Sequence, residues 1–257
     1  TRHVENGKKF DLLSSTHKHF RPVDVQVGPD GAVWFGDWAN ALIGHMQYSQ
    51  RDPHRDHSLG RVYRLYNTKL PLLKPVTQHG KTELELLDQL KEYENRTRYR
   101  ARRELWARPW EKVGPALETW VKAIFADPKH DEKHVCEALW VLQGHRRVPV
   151  KLLEGSMKHF ENENARAAVV KIIADERDRL PEAKTMLIAA ATDKSPRVRI
   201  EAVRGLSFFR GNDCTDAVLA AAKMPMDSWM KYVVSSTLGA TQNSWATRYA
   251  AKQIGQD

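Results

Sequence analysis

Apolar and polar residues alternate in the first part of the chain, which predicts β-strands. Valine alternates with polar residues over 23–27, and an apolar run resumes at 32–35. Between them lies Gly28-Pro29-Asp30-Gly31, in which Pro29 presets φ for a turn and Gly31 can adopt a positive φ. The pattern therefore predicts a hairpin with three valines on one face of its first strand, namely Val23, Val25 and Val27.

A third strand is predicted at residues 60–66, where polar and apolar residues alternate again. The connection leading to it, residues 44–57, is long and rich in histidine, arginine and aspartate. An antiparallel sheet of only three strands cannot bury both of its faces. Residues 1–70 are therefore expected to need neighbouring sheets or a docked partner.

Helical periodicity replaces the alternation after Pro71 and Pro75 and continues to the end of the sequence. Apolar residues recur every three or four positions, and short links containing Pro, Gly, Asn or Asp separate the periodic segments. We expect a linker at 71–81. The pattern then predicts helices at 82–93, 95–106, 110–125, 131–144, 149–160, 163–179, 181–192, 196–209, 213–223 and 227–240.

The predicted helices repeat along the chain. Two helix starts align with Arg166 at the position of Arg199, a spacing of 33 residues, and the same spacing predicts Arg100 and Tyr232 as further equivalents. Units of about 30–40 residues with two helices each are typical of α-solenoids, because each helix pair buries its apolar face by stacking on the next.

The sequence around Ser195 favours the HEAT type of repeat. Ser195 is expected to cap the helix, Pro196 fits the first helical position, and the arginines that follow are expected at the surface. Three apolar residues are predicted to point inward, namely Val198, Ala202 and Leu206. The predicted fold class is mainly α, with a HEAT-like α-solenoid over 82–257 preceded by a small antiparallel β-sheet.

The composition limits the classes of function. The chain has 257 residues, of which 41% are hydrophobic, and it contains neither an apolar run of the roughly 18 residues that span a bilayer nor an apolar signal-peptide core. The net charge of +9 is spread, because residues 1–70 carry ten Lys/Arg against seven Asp/Glu and residues 71–257 carry 31 against 25. Such a diffuse excess is weak support for nucleic-acid binding.

Cys136 and Cys214 form no C-x-x-C or C-x-x-C-H pattern, so no haem attachment or cysteine-zinc site is assigned, and a disulfide between them is not expected.

An arginine-rich predicted helix has two interpretations. It contains five arginines and is followed by Trp106 and Trp110. These residues can form a nucleic-acid surface with stacking rings. More simply, the arginines occupy an outer helix face and the tryptophans lie in the core between repeats. The arginines are Arg96, Arg98, Arg100, Arg102 and Arg103.

Candidate chemistry is concentrated before residue 70. Asp37 directly follows a predicted strand, where a sheet presents side chains from a rigid scaffold. In residues 44–57, histidine and aspartate can form a base with its positioning carboxylate, and arginine can hold an anion with two hydrogen bonds. The catalytic candidates are His45, Asp56 and His57, and the substrate or anion candidates are Asp37, Arg51, Arg55 and Arg61. The same arginines and aspartates can instead pair with one another and brace the connection, and no close-set trio of metal ligands is visible.

Several motifs resemble one family of proteins. In the sheet region they are His19-Phe20-Arg21-Pro22-Val23-Asp24-Val25, Gly28-Pro29-Asp30-Gly31-Ala32, Asp37-Trp38, Ile43-Gly44-His45-Met46-Gln47, Arg51-Asp52-Pro53-His54-Arg55-Asp56-His57 and Gly60-Arg61-Val62-Tyr63-Arg64. In the helical region they are residues 96–105, 137–140 and 196–204. Over about residues 15–240 the chain resembles large secreted propeller–HEAT proteins of planctomycetes and verrucomicrobia, which are labelled membrane-bound dehydrogenases or haem-binding-domain proteins.

The resemblance implies a fold, an activity and partners. Residues 1–70 would be the closing blade of a β-propeller like those of soluble sugar dehydrogenases, followed by the solenoid and often by a c-type cytochrome module. It also implies a periplasmic or secreted location, with other blades or subunits and a cytochrome c as partners. The implied cofactors are haem c on another segment, or a quinone or calcium in the propeller. Thr1 in place of Met, together with the lone sheet, fits a processed or excised piece.

Three functions compete. The first is a subunit or fragment of such a propeller–HEAT protein, similar to sugar or alcohol dehydrogenases or to electron-transfer proteins, in which the HEAT array is a docking scaffold. The second is a non-catalytic interaction module whose solenoid binds a partner protein while the sheet covers its first repeat. The third is a basic HEAT array that binds nucleic acid, as in some alkylpurine DNA glycosylases. No self-contained active site is visible in the sequence, and substrate and electron acceptor are undetermined.

Overall fold

The computed structural model describes residues 2–5, 8–40, 53, 56, 58–127 and 130–255. The chain divides into two compact units. Unit 1 comprises residues 1–77 and 93–97, and unit 2 comprises residues 78–92 and 98–257. The assignment of residues 1–70 to a propeller blade and of 71–81 to a linker stays a prediction.

The described residues of unit 1 form two small antiparallel sheets. In the first, β1 (Arg2–Glu5) pairs with β2 (Lys8–Asp11). In the second, the strand order is β3 (Pro22–Val27), β4 (Val33–Asp37) and β5 (Arg61–Leu65). The predicted hairpin and third strand are confirmed. The ribbon of β1 and β2 was not predicted, although the intervening sequence Asn6-Gly7 is a dipeptide that favours two-residue hairpin turns.

The turn between β3 and β4 is stabilised by its own aspartate. The Gly28 N–H donates to the Ala32 carbonyl at 2.8 Å, and Gly31 has a φ of +79°. Oδ1 of Asp30 accepts from the Ala32 N–H at 3.1 Å and from Nε1 of Trp34 at 3.2 Å. The predicted turn is confirmed, and the positive φ explains why glycine is needed at residue 31.

A bulge in β3 changes which side chains share a face of the sheet. The register with β4 shifts between Val23 and Gln26, and Asp24 within this segment has a φ of +49°. One extra residue in a strand reverses the alternation beyond it. Val23 and Val27 therefore lie on opposite faces, and the prediction that Val23, Val25 and Val27 share one face is wrong.

The helices follow the predicted order. The first predicted helix is α1 (Glu83–Asp88), which continues as a 3₁₀ turn at Gln89–Lys91. The segment predicted at 163–179 is shorter and ends at Asp175. The remaining helices are α2 (Asn95–Ala107), α3 (Trp110–Ala126), α4 (Glu132–Gly144), α5 (Val150–His159), α6 (Glu163–Asp175), α7 (Ala183–Ala190), α8 (Pro196–Leu206), α9 (Asn212–Ala222), α10 (Ser228–Ala240) and α11 (Ala246–Ala250).

The helices of unit 2 stack as repeats. α4, α6, α8 and α10 pack on one another in this order, and α7 and α9 pack against α8. α6 and α8 begin 33 residues apart, at Glu163 and Pro196, as predicted. The three residues of α8 predicted to point inward, Val198, Ala202 and Leu206, are fully buried. The chain is mainly α, with an α-solenoid that follows a small antiparallel β-sheet in the sequence.

Ser195 precedes α8, but its side chain makes no capping hydrogen bond to the helix. Its Oγ donates instead to Oε2 of Glu163, the first residue of α6, at 2.5 Å. The predicted side-chain cap is therefore wrong, because the hydroxyl is directed at a carboxylate, which is a stronger acceptor than a neutral group. Side-chain caps are present at other helices, on Thr82, Asp131, Asn162 and Asp227.

Candidate functional site

Asp37 and Arg61 form an ion pair at one end of the three-stranded sheet. Asp37 ends β4, Arg61 begins β5, and the antiparallel register places the two residues opposite each other. Nη1 of Arg61 donates to Oδ2 of Asp37 at 2.8 Å. Oδ1 of Asp37 accepts from the backbone N–H groups of Arg21 at 2.7 Å and Ala39 at 2.9 Å. The carboxylate thus joins three separate segments of unit 1.

The electrostatics of this pair favour the charged state of both groups. Burial by itself raises the pKa of Asp37, but the two backbone N–H donors and the Arg61 guanidinium outweigh burial, so its pKa lies below the ordinary value. The hydrogen bond to Asp37 is the main reason that the pKa of Arg61 is raised. Asp37 is 3% exposed. A buried carboxylate with these donors is well suited to brace the sheet, whereas a general base needs a pKa close to the working pH.

Aromatic rings pack beside the ion pair. Phe35 and Tyr63 are cross-strand neighbours whose rings stack at 5.2 Å between centroids. Phe20 packs edge-on against both rings, at 6.4 Å and 6.0 Å. His17 lies next to the arginine, with its Nε2 at 3.3 Å from Nη2 of Arg61. An aromatic cluster and an imidazole thus both lie beside the pair.

Three of the seven predicted site residues can be placed. Asp37 and Arg61 come together, and they bind each other. Oδ1 of Asp56 accepts from the N–H of Ser58 at 2.9 Å and from its Oγ at 2.6 Å, which is a local turn interaction. The proposed catalytic and anion-binding roles stay predictions. The other four residues lie outside the described part of the chain: His45, Arg51, Arg55 and His57.

A second charged cluster lies at the opposite end of the hairpin. Oδ2 of Asp30 pairs with Nη2 of Arg64 at 2.5 Å. The Arg64 guanidinium also lies over the rings of Trp34, at 5.5 Å, and Tyr66, at 5.2 Å. This cluster was not predicted, although Arg64 and Trp34 are both in predicted strands. Cross-strand pairing of these two residues is the signal that would have found it.

Two arginines of the repeats are buried and occupy equivalent positions. Nη1 of Arg166 donates to the carbonyls of residues 160 and 161, and Nη1 of Arg199 donates to the carbonyls of residues 193 and 194. In both cases the acceptors lie six and five residues before the arginine. Each guanidinium also reaches the loop before the next stacked helix, at Asp193 and Pro225 respectively. The arginines thus connect successive repeats.

The expectation that the arginines after Pro196 lie at the surface is wrong for Arg199, and its equivalent Arg166 is buried as well. Arg166 is 4% exposed and Arg199 is 2% exposed, whereas Arg197 is exposed. A charged side chain is tolerated in the interior when most of its donors are satisfied. Backbone carbonyls accept from Nη1 and Nη2 of Arg199, whereas its buried Nε makes no hydrogen bond to a described residue. The equivalent residue in the first repeat is Arg98 rather than Arg100, because Nη1 of Arg98 donates to the carbonyl six residues earlier, at 2.7 Å.

The arginine-rich helix α2 is largely committed to contacts within the protein. Arg98 and Arg102 both pair with Glu137, a carboxylate on α4 that is 1% exposed. The guanidinium of Arg103 lies over the Tyr99 ring at 5.9 Å. These contacts leave fewer arginines of α2 available to bind the phosphate groups of a nucleic acid. Of the two tryptophans expected in the core, Trp106 is 38% exposed, and its Nε1 donates to the Trp140 carbonyl at 3.1 Å.

Two aromatic residues of α10 are left in water. Trp229 and Tyr232 are 71% and 69% exposed. They are the second and fifth residues of the helix. The second residue of the other stacked helices is polar, namely Lys133, Asn164 and Arg197, and the fifth is Cys136, Ala167 or Ile200. Cys136 and Ala167 are buried, and Cys136 contacts the next stacked helix.

Comparisons with known proteins agree with the division into a sheet and a helical array. A family model described as a domain of unknown function (DUF7133) matches residues 1–69, and a model of HEAT repeats matches residues 149–239. Searches of curated proteins and of solved structures returned no match. HEAT repeats are α-solenoid units, and stacks of this kind offer extended surfaces for binding other proteins. A protein-interaction or scaffold role is therefore supported for the helical region.

No described helix is long and apolar enough to cross a membrane. Within the described residues, no group of three or more histidine, cysteine, aspartate or glutamate side chains has an arrangement that could hold a metal ion.

Proposed function

We propose that the helical repeats form a docking scaffold for a partner protein and that α10 makes the principal contact. The observation that carries the proposal is the exposure of Trp229 and Tyr232, one turn apart on the same helix. Tryptophan and tyrosine are the residues most often responsible for binding energy at protein interfaces. Their burial by a partner would remove a large apolar area from water.

The position of these residues in the stack supports the same proposal. In α4, Sγ of Cys136 contacts the Ala165 carbonyl of α6 at 3.8 Å, so the fifth residue of a stacked helix faces the next repeat. In α10 the fifth residue is Tyr232, so the position of Arg199, the fourth residue of α8, corresponds to Lys231 and not to Tyr232 as the 33-residue spacing predicted. The exposed side of α10 thus corresponds to the side on which α4 contacts the next repeat.

The experiment is a comparison of partner binding by matched variants. Proteins that cross-link to the wild-type chain in an extract of its source organism are identified, purified and titrated against the chain by calorimetry. The double variant Trp229→Ser, Tyr232→Ser is expected to weaken the dissociation constant by at least about 100-fold, since each such residue contributes about 2 kcal/mol or more at an interface centre. The control is Tyr93→Ser, which removes an aromatic ring of 92% exposure from unit 1. Unchanged affinity of the double variant would contradict the proposal.

The finer proposal is that this scaffold belongs to a secreted or periplasmic propeller–HEAT protein with a dehydrogenase-like or electron-transfer activity. It rests on the family resemblance, and a small antiparallel sheet ahead of the helical repeats is compatible with it. Reading the gene on both sides of the sequence tests this proposal. Further blade sequences before Thr1 and a C-x-x-C-H motif beyond Asp257 are expected, and a start codon immediately before Thr1 would contradict it.

A further inference from the structure

One face of each stacked helix receives the next repeat. Arg166 and Arg199, the fourth residues of α6 and α8, bond to the loops before α8 and α10 respectively. The carbonyl of Val203, the eighth residue of α8, accepts from Oγ1 of Thr237 on α10 at 3.2 Å. Residues four apart lie above one another on a helix, so the fourth and eighth residues belong to one face, named here the receiving face.

The receiving face is covered in the earlier helices and open in α10. The fourth residue of α10 is Lys231 and the eighth is Ser235, and both are exposed. The corresponding residues of α4, α6 and α8 are at most 4% exposed; they are Val135, Leu139, Arg166, Val170, Arg199 and Val203. α10 thus presents to water the face that the earlier helices bury.

The twelfth residue extends the receiving face. In α6 it is Ala174, and a Cβ added to Gly205 of α8 would lie 2.9 Å from Cβ of Ala174, so the two helices are in close contact there. In α10 the twelfth residue is Gly239, on which a Cβ meets no heavy atom within 4 Å. The place that α8 takes on α6 is therefore open on α10.

The composition of this open face suits a partner that binds reversibly. Lysine and serine are stable in water, whereas the leucine and valines at the eighth position of the earlier helices are residues that proteins usually bury. Permanent interfaces are more apolar than transient ones. The exposed rings of Trp229 and Tyr232 lie on the same first turns of α10 as Lys231 and supply apolar contact area.

The contact of Arg166 shows which group an incoming helix can offer to Lys231. Arg166 is paired with the carboxylate of Asp193, in the loop before α8. Lys231 takes the equivalent place on α10. A charged donor bonds more strongly to a carboxylate than to a neutral carbonyl, so an acidic residue in the loop before the incoming helix would complete the same arrangement.

We propose that α10 binds a helix of a partner protein in the way that α6 binds α8, and that an aspartate or glutamate in the loop before that helix pairs with Lys231. The incoming helix lies over Ser235 and Gly239 and covers Tyr232. This inference rests on the proposed docking function and specifies the element and the charged group through which the partner is recognised.

The test is selection of binders to the complete 257-residue chain from two display libraries. One library presents a three-helix bundle in which the second helix and the loop before it are randomised, and the other presents unstructured peptides. We expect the tightest binders from the helical library, with aspartate or glutamate in the randomised loop. Their dissociation constants are measured by fluorescence anisotropy.

Two variants of α10 test the geometry. Lys231→Glu is expected to weaken binding at least about tenfold, because like charges then meet, and exchange of the binder's acidic residue for lysine should restore the affinity. Gly239→Phe is expected to weaken binding by a similar factor, because its ring occupies the place of the incoming helix.

Lys151→Glu and Gly155→Phe are the matched controls on α5. Lys151 is exposed, and a Cβ on Gly155 also meets no heavy atom within 4 Å. Both variants should leave the dissociation constant unchanged.

Binders that keep their affinity for Lys231→Glu or for Gly239→Phe would overturn this inference; if they still lose affinity for the Trp229→Ser, Tyr232→Ser variant, docking on α10 stands. Tightest binders from the unstructured library would overturn it as well. Self-association of the wild-type chain in analytical ultracentrifugation that Gly239→Phe abolishes would assign the face to a second copy instead. Failure of both binder selection and partner capture would contradict the docking function itself.

Discussion

Arg166 on α6 holds Asp193, in the loop before α8, by two parallel hydrogen bonds. Nε donates to Oδ2 at 3.1 Å and Nη2 donates to Oδ1 at 3.2 Å. The two side chains are 5% and 14% exposed. This contact ties one repeat to the next, and Arg199 repeats the arrangement one unit later, with the Pro225 carbonyl at 2.6 Å as the acceptor.

Removal of Arg166 should destabilise unit 2 strongly. Arg166→Ala removes the cation that pairs with the mostly buried Asp193, which keeps only the N–H of Ser195 at 2.8 Å among the described donors, and it leaves two backbone carbonyls without this donor. Breaking a buried pair in this way costs about 3–5 kcal/mol. Urea denaturation followed by circular dichroism measures the change. Arg197→Ala, an exposed arginine of α8, is the control and should change stability by less than about 0.5 kcal/mol. Equal losses in the two variants would show that the buried pair has no special role.

Asp37 should make the stability of unit 1 depend on pH. Its pKa is lowered in the folded state from an ordinary value of 3.8, so the unfolded chain binds the proton more readily. The stabilisation is present above about pH 4 and is lost as the pH falls through the lower folded pKa. Thermal unfolding monitored by tryptophan fluorescence should therefore show a steeper decline below pH 4 in the wild type than in Asp37→Asn. Asp24→Asn, at an exposed position, is the control and should retain the steep decline. A shallow decline in Asp24→Asn would contradict the assignment of the pH dependence to Asp37.

The two cysteines should be unreactive in the folded chain. Cys136 and Cys214 are free thiols that are 2% and 3% exposed. Burial raises the pKa of Cys136 to about 12 and also raises the pKa of Cys214. Because only the thiolate reacts, a disulfide-exchange reagent should label neither residue in native buffer and both in concentrated guanidinium chloride. Rapid labelling in native buffer would be inconsistent with this packing.

Two helical glycines should respond in opposite ways to alanine. A Cβ on Gly205 would lie 2.9 Å from Cβ of Ala174 and 2.9 Å from Cδ2 of Leu187. Gly205→Ala therefore overpacks the contact between α8 and its neighbours and should cost about 1–3 kcal/mol. Gly155→Ala has open space and should gain about 0.5–1 kcal/mol from helix propensity. Urea midpoints of the two variants that shift in the same direction would refute this difference.

The helices were predictable because the spacing of apolar residues in each amphipathic segment is visible within that segment alone. The ends were less predictable, as at α6, where the residues after Asp175 continue the polar pattern without continuing the helix. The bulge at Asp24 was missed for a different reason. A strand that alternates perfectly in sequence can still contain an extra residue, since the pairing partner decides the register.

The candidate site was predicted only as a set of residues. Asp37 and Arg61 were selected as ligands for a substrate, and their positions at the end of one strand and the start of the next were correct. That they bind each other follows from the antiparallel register, which brings residues 24 positions apart to a distance of 2.8 Å. The exposed pair Trp229 and Tyr232 was also missed, because an aromatic residue at helical spacing is more often part of a core.

The amino-acid sequence by itself determined the mainly α class, the hairpin and the repeat of about 33 residues, since these depend on periodicity and turn residues within short segments. Only the tertiary structure decided which polar residues are buried. Arginine is usually found at the surface, yet Arg199 is buried because backbone carbonyls of the loops before α8 and α10 accept its hydrogen bonds. Burial and charge pairing depend on contacts between residues far apart in the chain, and a local pattern does not contain them.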